Sequence, residues 1–585
     1  MNFRKILSFI TVCAIGGAGS ISAHETTPEW LKSAVFYDIY PCSFMDSDGN
    51  GVGDIPGIIS RLDYVKGLGA DAIWMNPIYV SEWFDGGYDV TDYYKVDPRF
   101  GTNADVRRLV DEAHARGLKV CLDLVPGHTS RKNEWFVKSL TEGPEGRYAD
   151  YYIFCNRISF KDSAALAERK ALPDPESSKL GAWVPVGDAV DPEMVADPDR
   201  RYYLKNYYPC QPALNFGYGS PDPEKPWQQP TDAPGPKAVR RELKNIMAYW
   251  FDMGVDGFRI DMAASLVKND KGKKETMKLW ADMRRWIDKE YPGKVLISEW
   301  GVPTQSLPAG FDVDFALLHR NDWFSDLLRG AGNKQKSVAD NAWFHREGKG
   351  SIGRFAEEYD KIYRKSRKHG YIAMFTSNHD VMRLNSEGRD TPQQCKVYMT
   401  FILSMPGVPF IHYGDEICMR NVKGLPSVEG SREERSGTRT PMQWDNTPSV
   451  GFSTAAPDSL FLPVFTDGGR LTVEAQKNDP ESMLSHTKAM LQLRRQYPAL
   501  ANDGDWEIVS DAEQSYPLAY VRKGDSGEFL VLLNPAGRKV TVTLPLAAAE
   551  ATELISTGKV DVKCKDNSLK VKMPGISSAI YKIIR

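Results

Sequence analysis

The stretch VDGFRID, Val255–Asp261, decides the fold. It is a short apolar run set between two helical patterns. Before it, Val239, Leu243, Ile246, Met247, Trp250 and Phe251 fall at offsets 0, 4, 7, 8, 11 and 12, a single apolar stripe. After it, Lys273–Glu290 is again helical in spacing. Seven more runs of the same kind lie along the chain. They are AVFYDIYP (Ala34–Pro41), DAIWMNP (Asp71–Pro77), KVCLDLV (Lys119–Val125), KVLISEW (Lys294–Trp300), FDVDFALL (Phe311–Leu318), YIAMFTSNHD (Tyr371–Asp380) and GVPFIHYGDE (Gly407–Glu416). Further helical patterns occupy Asn103–Arg116, Ile352–His369 and Thr391–Ser404. Strand-then-helix alternation, eight times, predicts an α/β fold with a parallel (β/α)8 TIM barrel.

Working outward, the third and fourth strands are far apart. Residues 129–214 between them are rich in Pro, Tyr, Asp and Lys and poor in helical periodicity. They read as a lobe inserted at the strand's C-terminal end, so the barrel would occupy 24–128 and 215–500. Residues 501–585 change to short alternating runs, GEFLVLLNPAG, KVTVTLPL and ISSAIYKIIR. That pattern predicts a C-terminal antiparallel β-sandwich domain.

Residues 1–23 read as a signal peptide. Arg4 and Lys5 precede the apolar run Ile6–Ala18, and Ser20-Ile-Ser-Ala23 is a small-residue exit. The expectation is a secreted or periplasmic protein cleaved near Ala23, with no membrane span. In the 585 residues, 74 Lys+Arg face 77 Asp+Glu, a net charge of -3, so no basic excess points to nucleic acid. Hydrophobic residues at 42% and charged residues at 26% exclude a disordered or collagen-like chain. Of the eight cysteines, Cys13 falls within the signal; no CxxC is present. Cys155 and Cys210 share one segment, so a disulfide and two free thiols are both open.

The strand ends carry the chemistry. The third ends in Asp123, with His128 shortly after; the fourth in Arg259-Ile-Asp261; the fifth in Glu299; the seventh in His379-Asp380. Residues i and i+2 of a strand share a face, which puts Arg259 beside Asp261 and favours its ionised form. Barrel enzymes gather reacting groups at the C-terminal ends of their strands. Converging acids there suit glycoside hydrolysis, with one carboxylate attacking while a carboxylic acid protonates the leaving oxygen. Trp74, Trp83, Phe84, Trp135, Phe136 and Trp300 lie at strand mouths and could stack on sugar rings or simply pack.

A second constellation lies early. Asp46, Asp48, Asn50 and Asp54 occupy positions 1, 3, 5 and 9 of a glycine-rich loop, oxygen donors suited to a hard cation such as Ca²⁺. Position 12, where an EF-hand needs Glu, is Gly57.

These motifs together resemble the α-amylase family, glycoside hydrolase family 13. The resemblance covers roughly residues 30–500. DLVPGHTS (Asp123–Ser130), GVDGFRIDMAAS (Gly254–Ser265), VLISEW (Val295–Trp300) and FTSNHD (Phe375–Asp380) stand in the family's order. QPALN (Gln211–Asn215), GVPFIHYGDEI (Gly407–Ile417) and RTPMQWD (Arg439–Asp445) add to them, the last resembling the oligosaccharide-processing branch. The resemblance implies Asp261 as nucleophile, Glu299 as general acid/base and Asp380 as the third carboxylate. It implies substrate contacts from Tyr88, Asp89, His128, Arg259, His379 and Arg383. It also implies one structural Ca²⁺ held by Asp46, Asp48, Asn50 and Asp54 side chains and the Val52 carbonyl.

The chain departs from the family at several places. Gly127 stands where relatives often have an Asn calcium ligand, so no second cation site is expected. Ala264 and Ser265 replace a Lys-His pair, Met262 follows the nucleophile, and Ala213 interrupts the lobe motif. The expected activity is retaining cleavage of α-glucosidic bonds, chiefly α-1,4, in starch-derived glucans or malto-oligosaccharides. Exo-acting α-glucosidase, trehalose-synthase-like isomerisation and non-catalytic sugar binding are the alternatives.

Overall fold

The computed structural model describes residues 27–156, 182–333, 337–428, 433–465, 468–511, 515–565 and 567–585. Residues 1–23, where a signal peptide is expected, and residues 157–181 of the expected inserted lobe lie outside the described residues. Eight parallel strands close into a barrel: β1 (Phe36–Ile39), β2 (Ala72–Met75), β3 (Lys119–Leu124), β4 (Gly257–Ile260), β5 (Val295–Ser298), β6 (Val313–Phe315), β7 (Tyr371–Phe375) and β8 (Val408–His412). Each falls within one of the eight runs. Except for Lys119, every residue in them is buried, because helices cover the outer face and side chains fill the inner one.

Closure needs close strand approach at one point. Gly257 opens β4, opposite Cys121 of β3 and Val295 of β5. A Cβ there would stand 2.3 Å from Val295 Cγ2 and 2.6 Å from the Val295 carbonyl oxygen, so the position requires glycine.

The covering helices include α1 (Asn103–Ala115), α2 (Pro234–Asp252), α3 (Lys274–Glu290), α4 (Gly353–Ser366), α5 (Pro392–Ser404) and α6 (Met483–Gln496). The apolar stripe of α2 is buried throughout, and Trp250 Nε1 donates to the Tyr93 carbonyl, 2.9 Å. A Thr102–Asp105 capping box starts α1, and Thr391 caps α5. Each such cap satisfies amide donors that the first turn leaves orphaned.

Between β3 and β4 the chain forms a three-stranded sheet of Phe154–Cys155, Tyr202–Leu204 and Trp183–Pro185. The C-terminal region is a five-stranded and a three-stranded antiparallel sheet. Val521, Leu530, Leu532 and Ala579 of the larger sheet pack with Leu544, Leu569 and Val571 of the smaller. Among the described residues, no helix is long and apolar enough to cross a membrane.

Candidate active site

At the C-terminal ends of the strands lies a pocket of about 400 Å³, lined by Asp261, Glu299, Asp380, Arg259, Tyr88 and His128 among others. Arg259 is its centre of charge. One guanidinium donates to Asp123 Oδ1 at 3.0 Å, to Asp261 Oδ1 at 3.0 Å, and stands 3.1 Å from Glu299 Oε2. Two carboxyls gripped by one guanidinium cannot lie far apart. That guanidinium brings both carboxyls to one pocket, where a glycosidic bond can lie between them.

Backbone geometry fixes the second carboxyl. Met262, directly after Asp261, is left-handed at φ 45°, uncommon for a residue with a Cβ. This turn aims its N–H at Glu299 Oε2, 2.9 Å. Burial raises the Asp261 carboxyl well above the usual range, and the Glu299 charge adds to this while Arg259 opposes it. The pair therefore resists carrying two negative charges at once. Asp123, beneath them, is raised by burial to about 7 against the pull of Arg259 and Tyr88.

Asp380 has the opposite environment. Burial disfavours its charge, but the charges of Arg435, Arg439 and Arg259 outweigh that and hold its carboxyl well below the carboxylate range. Arg435 Nε lies 3.3 Å and Arg439 Nη2 3.4 Å from Asp380 Oδ1. Arg435 Nη1 also donates to Asp85 Oδ1, 3.2 Å. Arg435 and Asp85 both line the pocket, and their pairing bridges the wall beside Asp380.

Two histidines have defined tautomers. Asn206 Nδ2 donates to His128 Nδ1 at 3.0 Å, leaving Nε2–H to donate to the Tyr88 carbonyl, 3.0 Å. Asn76 Nδ2 donates to His379 Nδ1 at 2.9 Å, so Nε2–H points to Tyr88 Oη, 2.8 Å. The Tyr88 hydroxyl then donates to Asp123 Oδ2, 2.8 Å. Burial keeps both imidazoles neutral by lowering their pKa values, His128 to about 3.

Several expected site residues sit elsewhere. Arg383 is fully buried and does not reach the pocket; Nη1 donates to the Tyr413 carbonyl at 2.6 Å and pairs with Asp415 Oδ1 at 3.4 Å. Asp89 is likewise buried, accepting from Ser81 Oγ, Phe84 N and Asp85 N, so it braces the loop that presents Asp85. His379 lies one layer below the pocket surface, its ring stacked on Tyr88 with centroids 5.4 Å apart. Of the six aromatic candidates only Trp74 lines the pocket. Phe136 and Trp300 are core residues, Trp83 packs under Arg99, and Trp135 stacks on Tyr93. Tyr207, His319, Arg320 and Arg329 also line the pocket and carried no sequence signal. A Cβ at Gly127 would stand 2.8 Å from Asn206 Nδ2, so Asn206 occupies the space a side chain there would need.

The acidic loop is also assembled. Carboxylate oxygens of Asp46, Asp48 and Asp54 lie within 4.8 Å of one another. Asp46 Oδ2 accepts from Gly51 N, and Asp54 Oδ2 from Ser47 N. Asn50 Nδ2 donates to Asp48 Oδ2, 3.1 Å, and Val52 N to Asn50 Oδ1, 2.8 Å.

Comparison with known proteins agrees with this geometry. Residues 38–503 match the family model for the alpha amylase catalytic domain. A trehalose synthase/amylase of Mycobacterium tuberculosis is 31% identical over 89% of this chain and 84% of its own. The oligo-1,6-glucosidase of Parageobacillus thermoglucosidasius is 28% identical over 95% and 99%. The trehalose-6-phosphate hydrolase of Bacillus subtilis is 30% identical over 89% and 92%. Among solved structures, the trehalulose synthase MutB of Pseudomonas mesoacidophila MX-45 superimposes with a TM-score of 0.76 at 26% identity, covering 95% of this chain and 100% of that one. A closed eight-stranded barrel, a carboxylate set at its mouth and a family match across most of the chain together place this protein in the α-amylase family of glycoside hydrolases, in its oligosaccharide-processing branch.

Proposed function

We propose that the protein is a retaining glycosidase that removes glucose from the non-reducing ends of α-glucosides, with malto-oligosaccharides as the chief class. The observation that carries this reading is the single guanidinium of Arg259 holding Asp261 and Glu299. Asp261 attacks the anomeric carbon and forms a glycosyl-enzyme. Glu299 protonates the departing oxygen, then takes a proton from the incoming water. Asp380, kept ionised by its arginines, accepts hydrogen bonds from hydroxyls of the reacting ring. Tyr88 and Trp74 offer it apolar faces, and Tyr88 is held by His379 and Asp123. Exo action is supported by the Asp85–Arg435–Asp380 bridge, which walls the pocket beside the third carboxylate.

The similarity to trehalose synthases supports a second reading, transfer of the glycosyl group to a sugar instead of water. Chromatography of products from maltoheptaose, maltose, isomaltose and trehalose separates the two. Glucose released stepwise is the expected result. Mixed short oligomers would refute exo action, trehalose formed from maltose would establish isomerisation, and no turnover of any α-glucoside would overturn the assignment.

One structural Ca²⁺ belongs to the same proposal. The donor set fits: hard oxygens from Asp46, Asp48, Asn50 and Asp54 side chains, with the Val52 carbonyl, crowd one loop. Three carboxylates gathered without an arginine or lysine partner among the described residues favour a bound cation. The ion would brace the loop after β1. The charged start and short apolar run of residues 1–23, which read as a signal peptide, support secretion or a periplasmic location.

A further inference from the structure

Two thiols on neighbouring barrel elements stand closer than unbonded sulfur atoms do. Cys395 lies in the first turn of α5, and Cys418 closes the 3-10 turn Asp415–Ile417 that follows β8. Their Sγ atoms are 2.9 Å apart, and both residues are fully buried. Carbon atoms in contact keep about 3.5–4.0 Å, and sulfur is larger, whereas an S–S bond needs about 2.05 Å. The pair therefore sits inside contact distance, a fraction of an ångström from bonding.

The surroundings hold it there. Cys418 is left-handed at φ 64°, a conformation L-residues rarely take. Its N–H donates to the Asp415 carbonyl at 3.0 Å, and its carbonyl accepts from Asn385 Nδ2 at 2.9 Å. Cys395 is fixed by the capped start of α5, where Thr391 accepts from Gln394 N. Among the described residues, the group of three or more metal-ligating side chains is that of Asp46, Asp48 and Asp54, away from this pair. Cys155 and Cys210, the pair suggested by proximity in sequence, are not bonded to one another.

We propose that Cys395 and Cys418 form a disulfide in the mature protein. Two S–H bonds break and one S–S bond forms. The two protons and two electrons pass to a disulfide oxidant, such as oxidised glutathione or a dithiol–disulfide oxidoreductase, which leaves as two thiols. Because neither sulfur is exposed, the bond forms while α5 is still docking. Once made, it ties the start of α5 to the turn that carries Asp415, and so closes a ring behind the loop bearing Asp380.

The full chain, synthesised in a cell-free mixture containing oxidised glutathione, provides the test. Thiols are trapped with N-ethylmaleimide in denaturant, without reductant, and the digest is mapped by mass spectrometry. Cys395 and Cys418 are expected unlabelled in one cross-linked peptide pair, released by reductant, while Cys121 is labelled throughout. Labelling of both residues before reduction would overturn the proposal. Thermal melting gives a second readout: dithiothreitol should lower the wild-type Tm and leave Cys395→Ser and Cys418→Ser unchanged. An equal drop in the variants would also overturn it.

Discussion

Arg435 Nε stands 3.3 Å from Asp380 Oδ1 while its Nη1 reaches Asp85, so one arginine links two acids of the pocket wall. It is the largest of the positive influences that keep Asp380 ionised against burial. Arg435→Gln removes that charge, and burial then pushes the Asp380 carboxyl upward. Activity needs the ionised form, so any movement of the acid limb of the kcat/KM profile is toward higher pH. The loss of charged hydrogen bonds should lower kcat/KM about 10–100-fold at neutral pH. An undiminished kcat/KM at neutral pH would show that Arg435 does not serve Asp380.

Asp261→Asn keeps the size of the side chain and its place beside Arg259 but cannot form the glycosyl-enzyme. A fall in kcat of at least about a thousandfold is expected, with the far-UV circular dichroism of the barrel unchanged. A variant retaining substantial turnover would refute Asp261 as nucleophile.

The residues legible in sequence and those that were not differ for a physical reason. β4 and β5 are buried on both faces, so they read as apolar runs, and the carboxylates at their ends follow from the barrel's polarity. Arg435, on the four-residue helical turn Glu433–Ser436, and Asp85, in a loop, meet across 350 residues of chain, and neither element is long enough to show a local pattern. In the loop DGGYD both acids look equivalent, yet Asp85 faces the pocket and Asp89 turns inward to accept three donors. The hairpin Tyr79–Ser81 with Val90–Val96 escaped notice because its register is irregular and its first strand is only 3 residues long. The family resemblance implies Arg383 as a sugar contact, but the fold pairs it with Asp415.

That buried pair has a distinct signature. Arg383 and Asp415 both have no exposed side-chain surface. Arg383→Met leaves Asp415 uncompensated, a destabilisation of about 3–5 kcal/mol. Urea unfolding should show this loss while KM for the substrate stays unchanged. A raised KM with undiminished stability would restore Arg383 to the substrate site.

Removal of the proposed cation should act on stability before chemistry. Chelation is expected to lower the Tm, and Ca²⁺ should restore it better than Mg²⁺, because the loop offers many flexible oxygen donors. Asp48→Asn removes one negative charge from the cluster and should raise the Ca²⁺ concentration needed for recovery. A Tm indifferent to chelator and to both ions would refute the site.

His486 isolates one contribution to acid sensitivity. It lies buried on α6, bonded to Thr400 Oγ1 at 3.0 Å, and burial lowers its pKa to about 3. In the unfolded chain it binds a proton near its ordinary value of about 6.5. Between those values the unfolded state holds more protons than the fold, so this group's effect is absent above about pH 6.5 and destabilises progressively as pH falls toward about 3. At pH 5 the deficit is about 2 kcal/mol. Asp123 and Glu416, raised by burial to about 7, act with the opposite sign over much of that range, which is why the whole-protein slope alone is uninformative. His486→Gln keeps a side chain able to bond Thr400 and cannot titrate. Its stability relative to wild type should therefore improve by about 2 kcal/mol between pH 7 and pH 5, read from denaturant midpoints at each pH. A difference that does not change with pH would mean that His486 is protonated in the native state as readily as in the unfolded one.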